Sequence, residues 1–295
     1  MSLRDIIIAL ILALVWGFSF ITIKWGVMEV PPFMFSALRF AFASIPAIFF
    51  IRRPRGVSTT VVVAYGFAIG VVQFGLLFIA IRNGMPVGLA SLVVQMHAFF
   101  TIFLAWLAMG EVPARSQIIG ALIALFGVAL IGSERMEGAE FLPFILTLCA
   151  GFSWGVGNTL GKNVETGEMI PFMVWSSLAA PVPLVLLSWI FEGEAGFQAV
   201  LAPMWFGIGC ALFLAYAATL FGFVVWGRLL SKYPAALVAP YAMLVPVFGM
   251  VFSWLLLKET FSAIELVGAG LVLAGLSFHT ISGRVGGAVA SSPAD

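Results

Sequence analysis

Apolar residues along this chain fall into ten runs of about 20, separated by short polar segments. The runs cover 6–27, 32–51, 59–81, 86–109, 116–132, 141–161, 170–191, 203–229, 235–257 and 263–281. A helix of about 20 apolar residues crosses the hydrocarbon of a bilayer. The pattern therefore predicts an all-α integral membrane fold of ten transmembrane helices. No soluble domain intervenes, and no A-x-A-like cleavage site follows the first run, which reads as a retained span. The small polar residues 282–295 read as a disordered tail.

Part of this pattern occurs twice. At an offset of 148, Pro86 falls on Pro234, Trp106 on Trp254, Glu111 on Glu259, Gly120 on Gly268 and Gly127 on Gly275. Upstream, Trp16, Gly17 and Lys24 match Trp154, Gly155 and Lys162, and Pro32-Phe33-Met34 matches Pro171-Phe172-Met173. The copies lie five spans apart, an odd number, so they cross the membrane in opposite senses. Residues 1–138 and 139–281 are thus expected to form two inverted five-helix repeats. Such repeats build a midplane site that faces either side in turn. Chance likeness between apolar helices would not preserve the order of Trp, Pro, Glu and Gly.

Charge gives the expected orientation. The chain is 62% hydrophobic and 9% charged, with mean hydropathy +1.15 and net charge +1. Arg4, Arg52, Arg53, Arg55, Arg115, Lys162, Arg228, Lys232 and Arg284 lie on the side of the N-terminus. Lys24, Arg82, Arg135 and Lys258 lie on the other. Lys and Arg favour the cytoplasmic side, so both termini are expected there, in a multi-pass protein of the cell inner membrane. Near-zero net charge argues against a nucleic-acid partner. Cys149 and Cys210 sit in apolar runs and form no disulfide framework.

The motifs Ala90-Ser91-Leu92, Gly110-Glu111, Gln117, Gly120 and Gly127 recur as Val245-Pro246-Val247, Lys258-Glu259, Gly268 and Gly275. With them the chain resembles the EamA-domain branch of the drug/metabolite transporter superfamily. LRF at 38–40, the stretch 46–55 and MPVGLASLVVQMHAFFTI at 85–102 resemble exporters of cysteine, O-acetylserine and related metabolites. Related branches export aromatic amino acids. The resemblance implies a ten-helix exporter. One departure is Ala98 in the first copy against Pro246 in the second.

Polar groups within a span are costly and mark function or helix packing. Arg39, opposite Leu178 in the repeat, would either clamp a substrate carboxylate with its guanidinium or snorkel to the outer interface and loop carbonyls. Gln73 and Gln95 are uncharged groups at depth, and Gln95 shares a stripe with Ser91 and Leu92. His97 would bind substrate, carry a proton or close a helix–helix hydrogen bond, the usual role of a lone histidine. Trp16 with Ser19, and Trp154 with Asn158, form helical pairs suited to a small amphipathic solute; bundle packing is the plainer role of each tryptophan. Trp175, Tyr216 and Tyr241 are further candidates. Trp106 and Trp254, nearer span ends, read as structural. Lys24 and Lys162 read as snorkelling anchors, and Glu111 and Glu259 as caps on neighbouring helix N-termini. Gly151, Gly155, Gly157 and Gly161 form two G-x-x-x-G faces.

Absences narrow the function. No Asp or Glu lies deep in a span, which disfavours a lipophilic-cation pump. A nucleotide-sugar carrier would need several basic cavity groups, and only Arg39 qualifies. No metal or catalytic constellation gathers, so neither a cofactor nor an intramembrane enzyme is expected. A structural membrane subunit would not need an inverted repeat. The reading is an inner-membrane exporter of small neutral or aromatic amino acids and their metabolites by alternating access, a monomer or weak homodimer in lipid.

Overall fold

In hydrocarbon every backbone polar group must be satisfied within its own segment, so the apolar runs fold as helices. The computed structural model describes the backbone of residues 1–136, 140–201 and 205–289, with side chains for these except 166, 200, 235, 236 and 279–289. In chain order the main helices are α1 Leu3–Glu29, α2 Pro32–Ile48, α3 Thr59–Arg82, α4 Val87–Met109 and α5 Arg115–Ser133. They continue as α6 Phe141–Gly161, α7 Met169–Phe191, α8 Trp205–Lys232, α9 Leu237–Leu257 and α10 Ala263–Phe278. Eight are long and apolar enough to cross a membrane; α2 and α10 are shorter apolar helices. Among the described residues, eight helices thus meet the length criterion where ten spans are expected. At 1.5 Å per residue, the 17 residues of α2 rise only about 26 Å. The last helix continues in backbone to Val289. The tail expected at 282–295 lies outside the residues whose side chains are described.

The halves exchange their first helices. Gly17 of α1 lies against α9, where an added Cβ would meet Phe248 Cβ at 2.6 Å and Val245 O at 3.1 Å. Gly155 of α6 lies against α4, where a Cβ would meet Phe100 Cβ at 2.8 Å and Thr101 N at 3.1 Å. Gly17 and Gly155 are repeat partners, and so are Phe248 and Phe100. Each half therefore packs its first helix into the other by the same contact. The two glycine faces of α6 divide this work: Gly151 and Gly155 meet α4, whereas Gly157 and Gly161 meet Ile69 and Tyr65 of α3. A second close pair joins α5 to α10, where a Cβ on Gly127 would lie 2.6 Å from Gly268 O and one on Gly268 2.7 Å from Gly127 O. The outer sides of this pair, Ile118, Leu122 and Phe126 on α5 with Leu266 and Val267 on α10, are exposed, as a lipid-facing surface requires.

Irregularities also fall in equivalent places. α3 carries a π-helical stretch at Phe67–Gln73 and α8 one at Phe213–Phe221. Their carbonyls find partners on the exchanged helices: Ser153 of α6 donates to Ala68 O at 2.7 Å, and Trp16 of α1 donates to Ala218 O at 2.8 Å. α4 tightens to a 3-10 turn at Val94–Met96, and α9 breaks at the matching Met243, three residues before Pro246. Ala98 in the first copy shows that the break does not need the proline.

Glutamates fasten helix ends. Glu259 accepts from Val87 N and Gly88 N at 2.8 and 3.0 Å, capping α4 as expected. Glu192 accepts from Phe33 N and Met34 N on α2, and Glu29 from Gly207 N on α8. Glu111 pairs with Lys162. The helix start equivalent to that of α4, residues 235 and 236, has no described side chains. Lys24 donates to Ile81 O at 3.2 Å, near the end of α3, and ties α1 to α3. Asp5 with Lys232 and Tyr233, and Arg52 with Glu168, close the opposite ends. Each contact joins segments that the charge pattern assigns to one side.

Gly268→Leu should force α10 off α5. Overpacking of this kind costs about 1–3 kcal/mol, and the detergent-solubilised variant should melt several degrees below the parent; an unchanged Tm would refute the packing. Glu168 provides a pH test. The Arg52 guanidinium, then the Arg55 N–H at 2.9 Å, hold its carboxyl below the ordinary value of 4.5. A depressed folded value means this stabilisation is complete above the unfolded value and lost as pH falls through the folded one. The Tm advantage of the parent over Glu168→Gln should therefore hold steady from about pH 7 to about pH 5 and shrink below that range. A gap that stays constant in acid would contradict the assignment.

Candidate functional site

Arg39 lies seven residues into α2, about 10 Å from its start, and is 6% exposed. It takes neither the interfacial nor the loop-carbonyl position. Its Nη2 donates to Thr219 Oγ1 on the π-helical stretch of α8 at 3.2 Å, and Thr219 donates to Leu214 O. The guanidinium stacks over the Phe74 ring of α3, 3.7 Å from its centroid, with Phe40 at 5.2 Å. Three helices from both halves thus meet at one cation.

Most buried polar side chains in this bundle are satisfied by backbone. Ser44, Ser91, Thr147, Ser176 and Ser177 all donate to carbonyls. Among the described residues, the buried side-chain atoms without a hydrogen-bond partner are Arg39 Nε and Nη1, Gln73 Nε2 and Ser36 Oγ. Ser36 stands one turn before Arg39 on α2, and Gln73 directly precedes Phe74. An orphaned buried donor costs about 1–3 kcal/mol. Two of these four atoms belong to the Arg39 guanidinium itself, which leaves a buried cation with open donors.

His97 and Trp154 form a second cluster. The rings stack with centroids 4.1 Å apart and 21° between planes. The Asn158 amide donates to Thr101 Oγ1 at 3.1 Å and lies 3.3 Å from His97 Nδ1. With the amide donating there too, a neutral ring keeps its proton on Nε2. The histidine thus closes a helix–helix bond between α4 and α6, one of its expected roles.

The other sequence candidates separate. Trp16 packs on Trp226 and Phe223 of α8 besides its bond to Ala218. Ser19 spends its hydroxyl on Trp16 O at 2.6 Å within α1. Trp175 donates to Ile51 O at 3.0 Å, fastening α7 to the segment after α2. Tyr216 on α8 is 42% exposed. Tyr241 packs near Ala9 and Leu229, and Gln95 is half-buried without a side-chain hydrogen bond. A groove of about 760 Å³ opens between α3 and α6, lined by Thr59, Val63, Phe67, Ser153 and Val156 among others. None of the predicted site residues lines it.

Sequence reasoning found Arg39 and Gln73 but not Ser36, Phe74, Thr219 or Thr101. Ser36 shared the helical stripe of Arg39, a signal that was present. Thr219 is 180 residues away in the other half and carries no sequence mark.

The chain matches the EamA-like transporter family model twice, over residues 3–133 and 142–281. A protein of Escherichia coli (strain K12) named "Probable amino-acid metabolite efflux pump" is 38% identical over 291 residues, covering 96% of this chain and 97% of its own. A Salmonella typhimurium protein of the same name is 39% identical, with coverage of 97% of each. The "Uncharacterized transporter YoaV" of Bacillus subtilis is 25% identical over 285 residues, covering 91% and 94%. One crystal structure aligns with TM-score 0.61 at 17% identity, covering 96% of this chain and 99% of that one, a likeness of fold alone. The protein is a multi-pass inner-membrane transporter, not an enzyme, and it belongs to the EamA-like transporter family.

Proposed function

We propose that the protein exports small neutral or aromatic amino acids and their metabolites, with Arg39 holding the cargo carboxylate. The observation that carries this reading is the buried Arg39 guanidinium, with Nε and Nη1 unpartnered and helices of both halves around it. A planar guanidinium offers two parallel N–H donors to a carboxylate. The name of the 38% identical Escherichia coli relative agrees with such cargo. Two inverted five-span halves, with both termini cytoplasmic, would alternate access around this point. The matched irregularities in α3 and α8, and in α4 and α9, support this, because bends and π-turns are where spanning helices flex.

Counterflow in proteoliposomes tests the proposal. Single labelled amino acids should exchange in the parent, and Arg39→Ala should lower the flux at least about tenfold, the loss of roughly 1.4 kcal/mol of cargo binding. Unchanged flux in folded Arg39→Ala would remove the clamp. Movement of quaternary ammonium dyes with no amino-acid flux would overturn the function.

A further inference from the structure

The groove between α3 and α6 shares no residue with the Arg39 site, and its walls change character along its length. Thr59 and Thr60 line one end, and Val63, Phe67, Val72 and Val156 line the rest. Ser153 borders it too, but its hydroxyl is spent on Ala68 O at 2.7 Å. On α3 the exposed Val63 and Phe67 form the wall, while Val62, Tyr65 and Ile69 are buried. On α6, Val156 stands two residues from Trp154 and so on the opposite side of the helix from the His97 stack. The groove therefore opens away from the bundle interior, towards lipid. From Thr59 to Val72 the α3 wall rises about 20 Å, more than the depth of about 15 Å of one leaflet. Spread over that length, a volume of about 760 Å³ gives a cross-section of roughly 40 Å². That is room for an acyl chain and too narrow for a second helix, whose diameter is about 10 Å.

Basic groups stand at the threonine end. Arg53, in the segment before α3, donates to Thr59 Oγ1, and Arg55 is exposed two residues on. Two carboxylates nearby are already taken: Glu168 by Arg52 and the Arg55 N–H, and Glu111 by Lys162 just past α6. Arg53 and Arg55 themselves form no ion pair among the described residues. The charge pattern assigns this end to the cytoplasmic side, where anionic headgroups gather and basic pockets between spans recognise them. We propose that the α3–α6 groove is a binding site for an anionic phospholipid of the cytoplasmic leaflet. Its phosphate meets Arg53 and Arg55, and one acyl chain lies along Val63, Phe67 and Val156. Because α3 belongs to one half and α6 to the other, the bound lipid fastens the two halves beside the Ser153–Ala68 bond.

The test titrates delipidated protein in detergent with dioleoylphosphatidylglycerol or dioleoylphosphatidylcholine and reads Tm. The two lipids share their chains and differ in head-group charge. Phosphatidylglycerol should raise Tm at a concentration at least about tenfold below that needed of phosphatidylcholine. Arg53→Gln should raise the phosphatidylglycerol concentration needed about fivefold, the worth of one basic group at a lipid surface, and leave the lipid-free Tm unchanged. Equal titration by the two lipids, or an unaltered titration in Arg53→Gln, would overturn the head-group recognition. Glycerol phosphate that stabilises as well as the lipid would overturn the acyl-chain site. Phosphatidylglycerol with a diazirine in its acyl chain should label the peptides around Val63 and Val156, and labelling confined to other helices would overturn the groove. Oxidative cross-linking of Val63→Cys into a dimer, absent from the parent, would give the groove to a second copy instead. Each arm is read without cargo, so failure here leaves the exporter reading standing.

Discussion

The fold depends on two glycines that let backbones touch. At Gly17 and Gly155 a single added methyl group would collide with the helix opposite, so only glycine allows α1 against α9 and α6 against α4. Lipid supplies no hydrophobic drive between helices, and close backbone packing takes its place. Because the contacts are repeat partners, each half holds the first helix of the other. The halves cannot separate without undoing both contacts. The same crossing brings α2 and α3 of one half beside α8 of the other, which is how Arg39 meets Thr219.

A second regularity is the thoroughness with which polar atoms are satisfied. Glutamate caps cover exposed N–H groups at the starts of α2, α4 and α8, and serines and threonines along the helices bond back to carbonyls. Against that background the orphaned atoms of Ser36, Arg39 and Gln73 stand apart. Among the described residues these are the buried side-chain atoms left without a hydrogen-bond partner, and two of them belong to one guanidinium. Stacking on Phe74 offsets part of the cost of the buried charge, by about 2 kcal/mol where the pair is desolvated.

Symmetry supplies the frame and asymmetry the chemistry. Gly17 and Gly155, the π-helical stretches of α3 and α8, and the breaks in α4 and α9 are shared between halves, whereas the π-helical stretch Ser253–Leu257 of α9 has no counterpart in α4. Arg39 faces no cationic counterpart, since its partner position is Leu178. At the helix ends, Glu259 caps α4 and Glu111 is paired with Lys162. The break in α9 sits beside Pro246, and the one in α4 forms with Ala98 in that place. Shape is thus conserved between halves where residue identity is not.

The sequence by itself determined the class of fold, the repeat and the main polar suspect. Apolar run length, ordered Trp, Pro, Glu and Gly matches, and a lone arginine in a span are all local signals, readable because hydrocarbon penalises each polar residue one at a time. Of its ten runs, eight appear as helices that meet the length criterion among the described residues, and α2 ends at Ile48 before its apolar run does. It also gave Trp16, Ser19, Trp175 and Tyr216 the same standing as Arg39. Only the tertiary structure separated them, because satisfaction is a property of pairs: Ser19 is spent on its own helix, Trp175 on a loop carbonyl, and Trp16 on the Ala218 carbonyl. Thr219 entered the site for the same reason. Nothing in its neighbours marks it, and it meets Arg39 only because α8 crosses α2 within the interlocked bundle.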